Sequence, residues 1–110
     1  METSAAKPRV NGSMLPKHIG HGVSVVGKNL GFKSPTVLQL ETSDKGQVRV
    51  QFQQPQRDPL SAYVEVIGFV QQDCSVAAER VVNYGSDFDL DTYNDVITLC
   101  AQFPAQFPLQ

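Results

Sequence analysis

A switch in hydrophobic period near residue 88 limits what this chain can fold into: the apolar segments between residues 22 and 83 read as strands, several with a period of two, and the segment after residue 88 reads with a period between three and four. Residues 47–52 (QVRVQF) alternate throughout, so Val48, Val50 and Phe52 face inward while Gln47, Arg49 and Gln51 face out. Residues 36–41 (TVLQLE) set Leu38 and Leu40 against Gln39. Residues 22–30 (GVSVVGKNL), 62–71 and 75–83 are rich in β-branched side chains and complete a set of five strands. Breaks separate them. GFKSP (31–35) is a loop, and TSDKG (42–46) is a hairpin turn whose Asp and Gly supply the backbone geometry. The two prolines of residues 53–61 exclude a strand interior.

Five short strands at close spacing predict an all-β domain, either a barrel or a sandwich. Gly27 lies inside the first strand, where a glycine marks a bulge or a sharp bend. A bent first strand can pair on two sides, which selects a five-stranded OB-fold Greek-key barrel with a C-terminal α-helix. Residues 1–13 are polar and hold Pro8 and Gly12; they are expected to be a flexible arm. Residues 14–110 then form the OB-fold domain, including the helix at about residues 90–103.

That helix is delimited by its ends. Asp89 is a good N-cap, Phe88 and Tyr93 stand where a hydrophobic staple forms, and Pro104 stops the helix. Leu90, Tyr93, Ile97 and Cys100 follow at spacings of three, four and three, with Val96 and Phe103 widening the stripe. Two destinations are open to such a stripe: its own barrel, or helices of other chains. Its position after a complete strand set, and its width, favour other chains.

Composition narrows the function classes. The chain has 110 residues with a net charge of −2 and 41% apolar residues, which suits one globular domain. No apolar run reaches the length of a membrane span, and the first residues lack a secretory pattern, so an intracellular protein with reduced Cys74 and Cys100 is expected. His18 and His21 stand three apart without a third ligand, so no metal or other cofactor is expected. Asp87, Asp89, Asp91 and Asp95 are explained by capping and the helix dipole. No nucleophile elbow, phosphate loop or dinucleotide fingerprint is present, which argues against an enzyme.

Charge is uneven. Residues 1–57 hold eight basic against three acidic side chains, while residues 87–110 hold four aspartates and no base. On a barrel of this kind single-stranded nucleic acid binds across strands two and three and their flanking loops. There the sequence offers Lys28, Phe32, Lys33, Gln39, Lys45, Arg49 and Gln51. One loop aromatic with a few bases predicts weak contact or a solvated face rather than strong autonomous binding.

Several segments together resemble a known family: PRVNGSML (8–15), VVGK (25–28), YVEVIGFV (63–70), FDLDTYNDVI (88–97) and FPAQFPL (103–109). The FDL-x-x-YN element opening the helix is the most specific. The chain resembles the smallest subunits of replication protein A, the eukaryotic single-strand DNA-binding heterotrimer. The resemblance implies a lone OB barrel whose helix face, Leu90, Tyr93, Val96, Ile97, Cys100 and Phe103, joins helices of the middle and large subunits in a three-helix core. It also implies a nuclear, chiefly structural role in DNA replication, repair and recombination, with DNA contacted mainly through the complex. A small OB subunit of a telomere-end complex and an autonomous weak single-strand binder are the alternatives.

Overall fold

The computed structural model describes residues 7–56 and 59–102. Six strands and one α-helix run in the order β1 (Arg9–Val10), β2 (Gly22–Ser34), β3 (Val37–Thr42), β4 (Gln47–Gln51), β5 (Tyr63–Val70), β6 (Val76–Gly85) and α1 (Leu90–Gln102), with a 3-10 helix at Gly12–His18 between β1 and β2. The strands are ordered β1-β2-β3-β4-β6-β5, and a further β2–β5 pairing closes the sheet on itself. This is the OB barrel expected from the strand spacing, with the two-residue β1 added at its edge.

Closure depends on β2 using both edges. Its first half, Gly22–Lys28, pairs antiparallel with β5. Its second half, from Gly27 onward, pairs antiparallel with β3. Gly27 stands at the crossover, opposite Val64 on one side and Thr42 on the other. A side chain there would run into the Glu41 carbonyl and the Leu40 side chain. On the far side, β4 and β6 meet in a short parallel ladder, Val50 to Val76 and Gln51 to Ala77. Beyond that ladder the barrel is open, so apolar side chains from connecting segments pack against its core. Leu15, on the 3-10 helix, lines a cleft with Val48 where β4 begins. Phe52 and Leu60 line another cleft with Val81, past the end of β4.

The interior is built from the inward positions of the alternating segments, including Val23, Val25, Leu38, Leu40, Val50 and Val66, all fully buried. Stiff β-branched valines suit these pleated positions. Val26, Ile97 and, less completely, Leu90 are also buried yet stand outside that cluster. They belong to a second layer, in which α1 lies against β2.

Two expectations are corrected. The arm does not stay free through residue 13: Arg9 and Val10 pair in parallel with Ser24 and Val25, and Val10 and Asn11 are buried. A single apolar residue flanked by Pro8 and Gly12 carries no periodic signal, so only the long-range pairing shows it. The remainder of the arm, residues 1–6, lies outside the described residues. The first strand also continues through the expected loop to Ser34, because the glycine geometry at Gly31 (φ +105°) and two register shifts let the ladder resume.

Gly27→Ala tests the crossover. At an unconstrained strand position alanine would stabilise by roughly 0.5–1 kcal/mol. Here overpacking reverses the sign, and urea denaturation should show a loss of about 1–3 kcal/mol.

Candidate functional site

Helix α1 is defined at its start by local chemistry. Asp89 accepts hydrogen bonds from the Thr92 backbone N–H (3.1 Å) and the Thr92 hydroxyl (2.7 Å), which hold its carboxyl below the ordinary value. Phe88 sits at the centre of an aromatic group, with ring centroids 5.0 Å from Tyr84, 5.6 Å from Tyr93 and 6.1 Å from Tyr63. The Phe88–Tyr93 contact is the staple that brings the chain from β6 into the helix at a defined angle.

One face of α1 then docks on the barrel. Leu90 and Ile97 are buried, and Tyr93 is half-buried with an enclosed hydroxyl that has no hydrogen-bond partner among the described residues. Burial pushes the Tyr93 phenol far above its ordinary value. On the outer face of the barrel Glu65 accepts hydrogen bonds from Ser24 and from the Tyr84 hydroxyl (2.9 Å).

Polar contacts complete the dock. Asn94 Oδ1 accepts from Asn11 Nδ2 and from the Ser43 hydroxyl, both at 2.9 Å. Asp44, in the β3–β4 turn, accepts from the Gly12 (3.1 Å) and Ser13 (3.0 Å) backbone N–H groups and from the Thr42 hydroxyl. Partial burial pushes the Asp44 carboxyl up, but these hydrogen bonds, led by Thr42, outweigh it and hold the group below 3.8. Lys45 pairs with Asp91 at 3.0 Å, with both side chains exposed; such a pair adds little. Three segments far apart in sequence, Asn11–Ser13, Thr42–Lys45 and the helix, therefore meet at one place.

The expected interface ridge is split by this docking. Leu90 and Ile97 are buried where α1 lies against β2 and are corrected as free partner-facing residues, because their own barrel offers an apolar surface within reach, while Tyr93 is half-buried. Val96 is 49% exposed, and so is its neighbour Leu99 at 45%. Leu99 is absent from the expected set. Its signal was the spacing of four and three from Thr92 through Val96 to Leu99, which continues by four to Phe103. Phe103 and the side chain of Cys100 lie outside the described residues, as does the FPAQFPL tail.

The structure brings part of the expected nucleic-acid set together: Gln39 and Arg49 are cross-strand partners on β3 and β4, and Gln51 follows Arg49 on the same outward face by alternation. Lys28 lies opposite Glu41 and Tyr63; with Lys45 it lines a shallow cleft of 300 Å³ beside Asp89 and Asp91. Gln39 donates to Gln47 (3.0 Å) and Arg49 pairs with Asp73 (2.8 Å), both on the β3–β4 face. Phe32, Lys33 and Gln51 stand at the other end, near the β2–β3 turn; Phe32 is 41% exposed, its ring 6.0 Å from that of Phe52. Among the described residues no three His, Cys, Asp or Glu side chains converge as metal ligands, and no helix is long and apolar enough to cross a membrane.

Fold and site together define a single OB-barrel domain with a C-terminal helix docked by one face and apolar on the other. Comparison with known proteins then gives the lineage. The profile of the Replication factor A protein 3 family matches residues 1–107, and the chain belongs to that family. It is 35% and 34% identical to two replication protein A 14 kDa subunits of Arabidopsis thaliana, in each case over 90% of this chain and 91% of the relative. Among solved structures it is similar to a chain of U. maydis replication protein A bound to single-stranded DNA, at 31% identity and a TM-score of 0.82, covering 97% of this chain and 98% of that one. The S. pombe telomere capping protein Ten1 shares the fold, with a TM-score of 0.70 at 13% identity over 88% of this chain and 99% of that one.

Asp44→Asn probes the polar junction through pH. The folded carboxyl titrates below 3.8, so its contribution is present in full above that value and is lost as pH falls through the folded value. Wild type should exceed Asp44→Asn in urea stability at about pH 7, and the gap should narrow as the pH falls below the ordinary carboxylate range and the folded carboxyl takes up its proton.

Proposed function

We propose that this chain is the small, non-catalytic subunit of a nuclear replication protein A complex. It joins the middle and large subunits through a three-helix bundle and supports DNA replication, repair and recombination. The observation that carries this reading is the half-docked helix: one face lies on the barrel through Leu90 and Ile97, and the other presents Val96 and Leu99 to solvent. Full burial of each such side chain stabilises by roughly 1.5–3 kcal/mol, enough to offset part of the cost of association. The partner-facing stripe is therefore Thr92, Val96 and Leu99, continuing in sequence to Phe103, rather than the line from Leu90 through Ile97. The relatives' membership in replication protein A supports the same assignment of partners.

Direct contact with single-stranded DNA is auxiliary in this reading. Arg49 and Lys45 are paired with acids and Lys28 stands across the ladder from Glu41, so Phe32 and Lys33 at the β2–β3 turn are the adjacent stacking and phosphate-binding groups that this reading uses. DNA is held mainly through the assembled complex.

Val96→Asp with Leu99→Asp, co-expressed with the middle and large subunits, should weaken assembly more than about a hundredfold while circular dichroism and melting of the isolated chain stay unchanged. Co-purification at wild-type yield would refute the reading. Failure of the wild-type chain to co-purify with those subunits would turn attention to a telomere-end complex, to which fold likeness is the link. For the DNA contact, Phe32→Ala in the isolated chain should weaken binding to a fluorescent oligonucleotide about fivefold at low salt, as expected for loss of one base stack.

A further inference from the structure

The apolar side chains of α1 do not by themselves choose which face docks. At about 100° per residue, Leu90, Ile97, Tyr93, Val96 and Leu99 spread over about half the helix circumference, and Leu99 stands about 180° from Leu90. A rotation about the helix axis would exchange one set of apolar side chains for another at modest cost in buried area. What distinguishes the observed azimuth is polar. Among the described side chains of the helix, Asn94 is the one that reaches two enclosed donors: Asn11, which is 4% exposed, and Ser43, which is 3% exposed. Asn11 is itself held by Ser13, whose hydroxyl donates to Asn11 Oδ1 at 2.8 Å, and the Asn11–Ser13 segment is pinned by Asp44 through Gly12 and Ser13. Any other azimuth leaves the Asn11 amide and the Ser43 hydroxyl buried without an acceptor, a cost larger than the net gain of making the bonds.

We infer that Asn94 is a positioning residue that sets the azimuth of α1, and so determines that Val96 and Leu99 face the partner helices. The inference rests on the assembly reading proposed above. It casts residues 9–13 as a clamp rather than an arm: the segment reaches the helix through Asn11 and the β3–β4 turn through Asp44. The physical logic is that of a single polar residue selecting one register among several that apolar packing would allow. If loss of the lock lets the competent azimuth fall to about a tenth of the population, apparent affinity for the partner subunits falls about tenfold without any change in the contacting side chains.

The test uses the full chain as Asn94→Leu, which keeps size and adds apolar character, with Ser43→Ala as a milder variant that removes one donor. Two readouts are taken: amide NMR spectra of the isolated chain, and affinity for the co-purified middle and large subunits. The expected result is doubled or broadened α1 signals with unchanged barrel signals, and assembly about tenfold weaker for Asn94→Leu, with a smaller effect for Ser43→Ala. A single, sharp set of α1 signals in both variants overturns the inference whatever the affinity. Doubled α1 signals with wild-type affinity would leave the lock standing and refute the partner face instead, so the two failures are separable.

Discussion

The barrel exists because β2 hydrogen-bonds along both edges, and its pairings with β5 and β3 overlap at Gly27 and Lys28. From that crossover the sheet turns back on itself: β3 leaves on one side and β5 arrives on the other. Closure removes most of the exposed strand edge that a small sheet would otherwise present. It also creates the curved outer surface on which the helix later docks. A second approach is as close: a side chain at Gly68 in β5 would run into the Ala77 carbonyl of β6. Two glycines thus mark where neighbouring strands come too near for a Cβ.

The helix is held by a division of labour between apolar and polar contacts. Leu90, Ile97 and the aromatic group around Phe88 supply most of the driving force, since burial of apolar area dominates such energies. The hydrogen bonds around Asn94 and Asp44 contribute less in net energy, because each replaces bonds to water. They contribute orientation, because buried donors are costly to leave unmade. The exposed ion pair of Lys45 with Asp91 adds little to either. One helix can in this way serve its own domain on one side and remain available on the other.

Much of this was legible in the residues. The unbroken alternation of QVRVQF became β4 with Val48 and Val50 inside. The turn at TSDKG, the Asp89 cap and the Phe88–Tyr93 staple all rest on chemistry within a few positions of one another and are found in the fold, while at Gly27 the fold shows a change of pairing partner, with the register shifts further on, at Asn29/Gly31 and Phe32/Ser34. The docked face of α1 was not legible. Its apolar positions are too many for one stripe, and the partner that chooses among them, Asn11 with Ser43, lies 83 and 51 residues away in sequence. The asparagine of the FDL-x-x-YN element was in view as a family signature, but its role as an acceptor was invisible without the two donors. The basic set was legible in part: alternation places Gln39, Arg49 and Gln51 outward, yet no local rule says that Arg49 meets Asp73 or that Lys28 and Lys45 sit among aspartates.

By itself, then, the amino-acid order determined where the helix and five of the six strands lie, which side of the alternating strands is apolar, and the family to which the chain belongs. Those properties follow from periodicity and from capping, which act over a few residues. Tertiary structure alone decided that Val10 and Asn11 join the domain, that Leu90 and Ile97 turn inward, and that Val96 and Leu99 remain outside. Those outcomes depend on which distant polar groups become buried together, and the energy of a buried hydrogen bond is set by both partners at once.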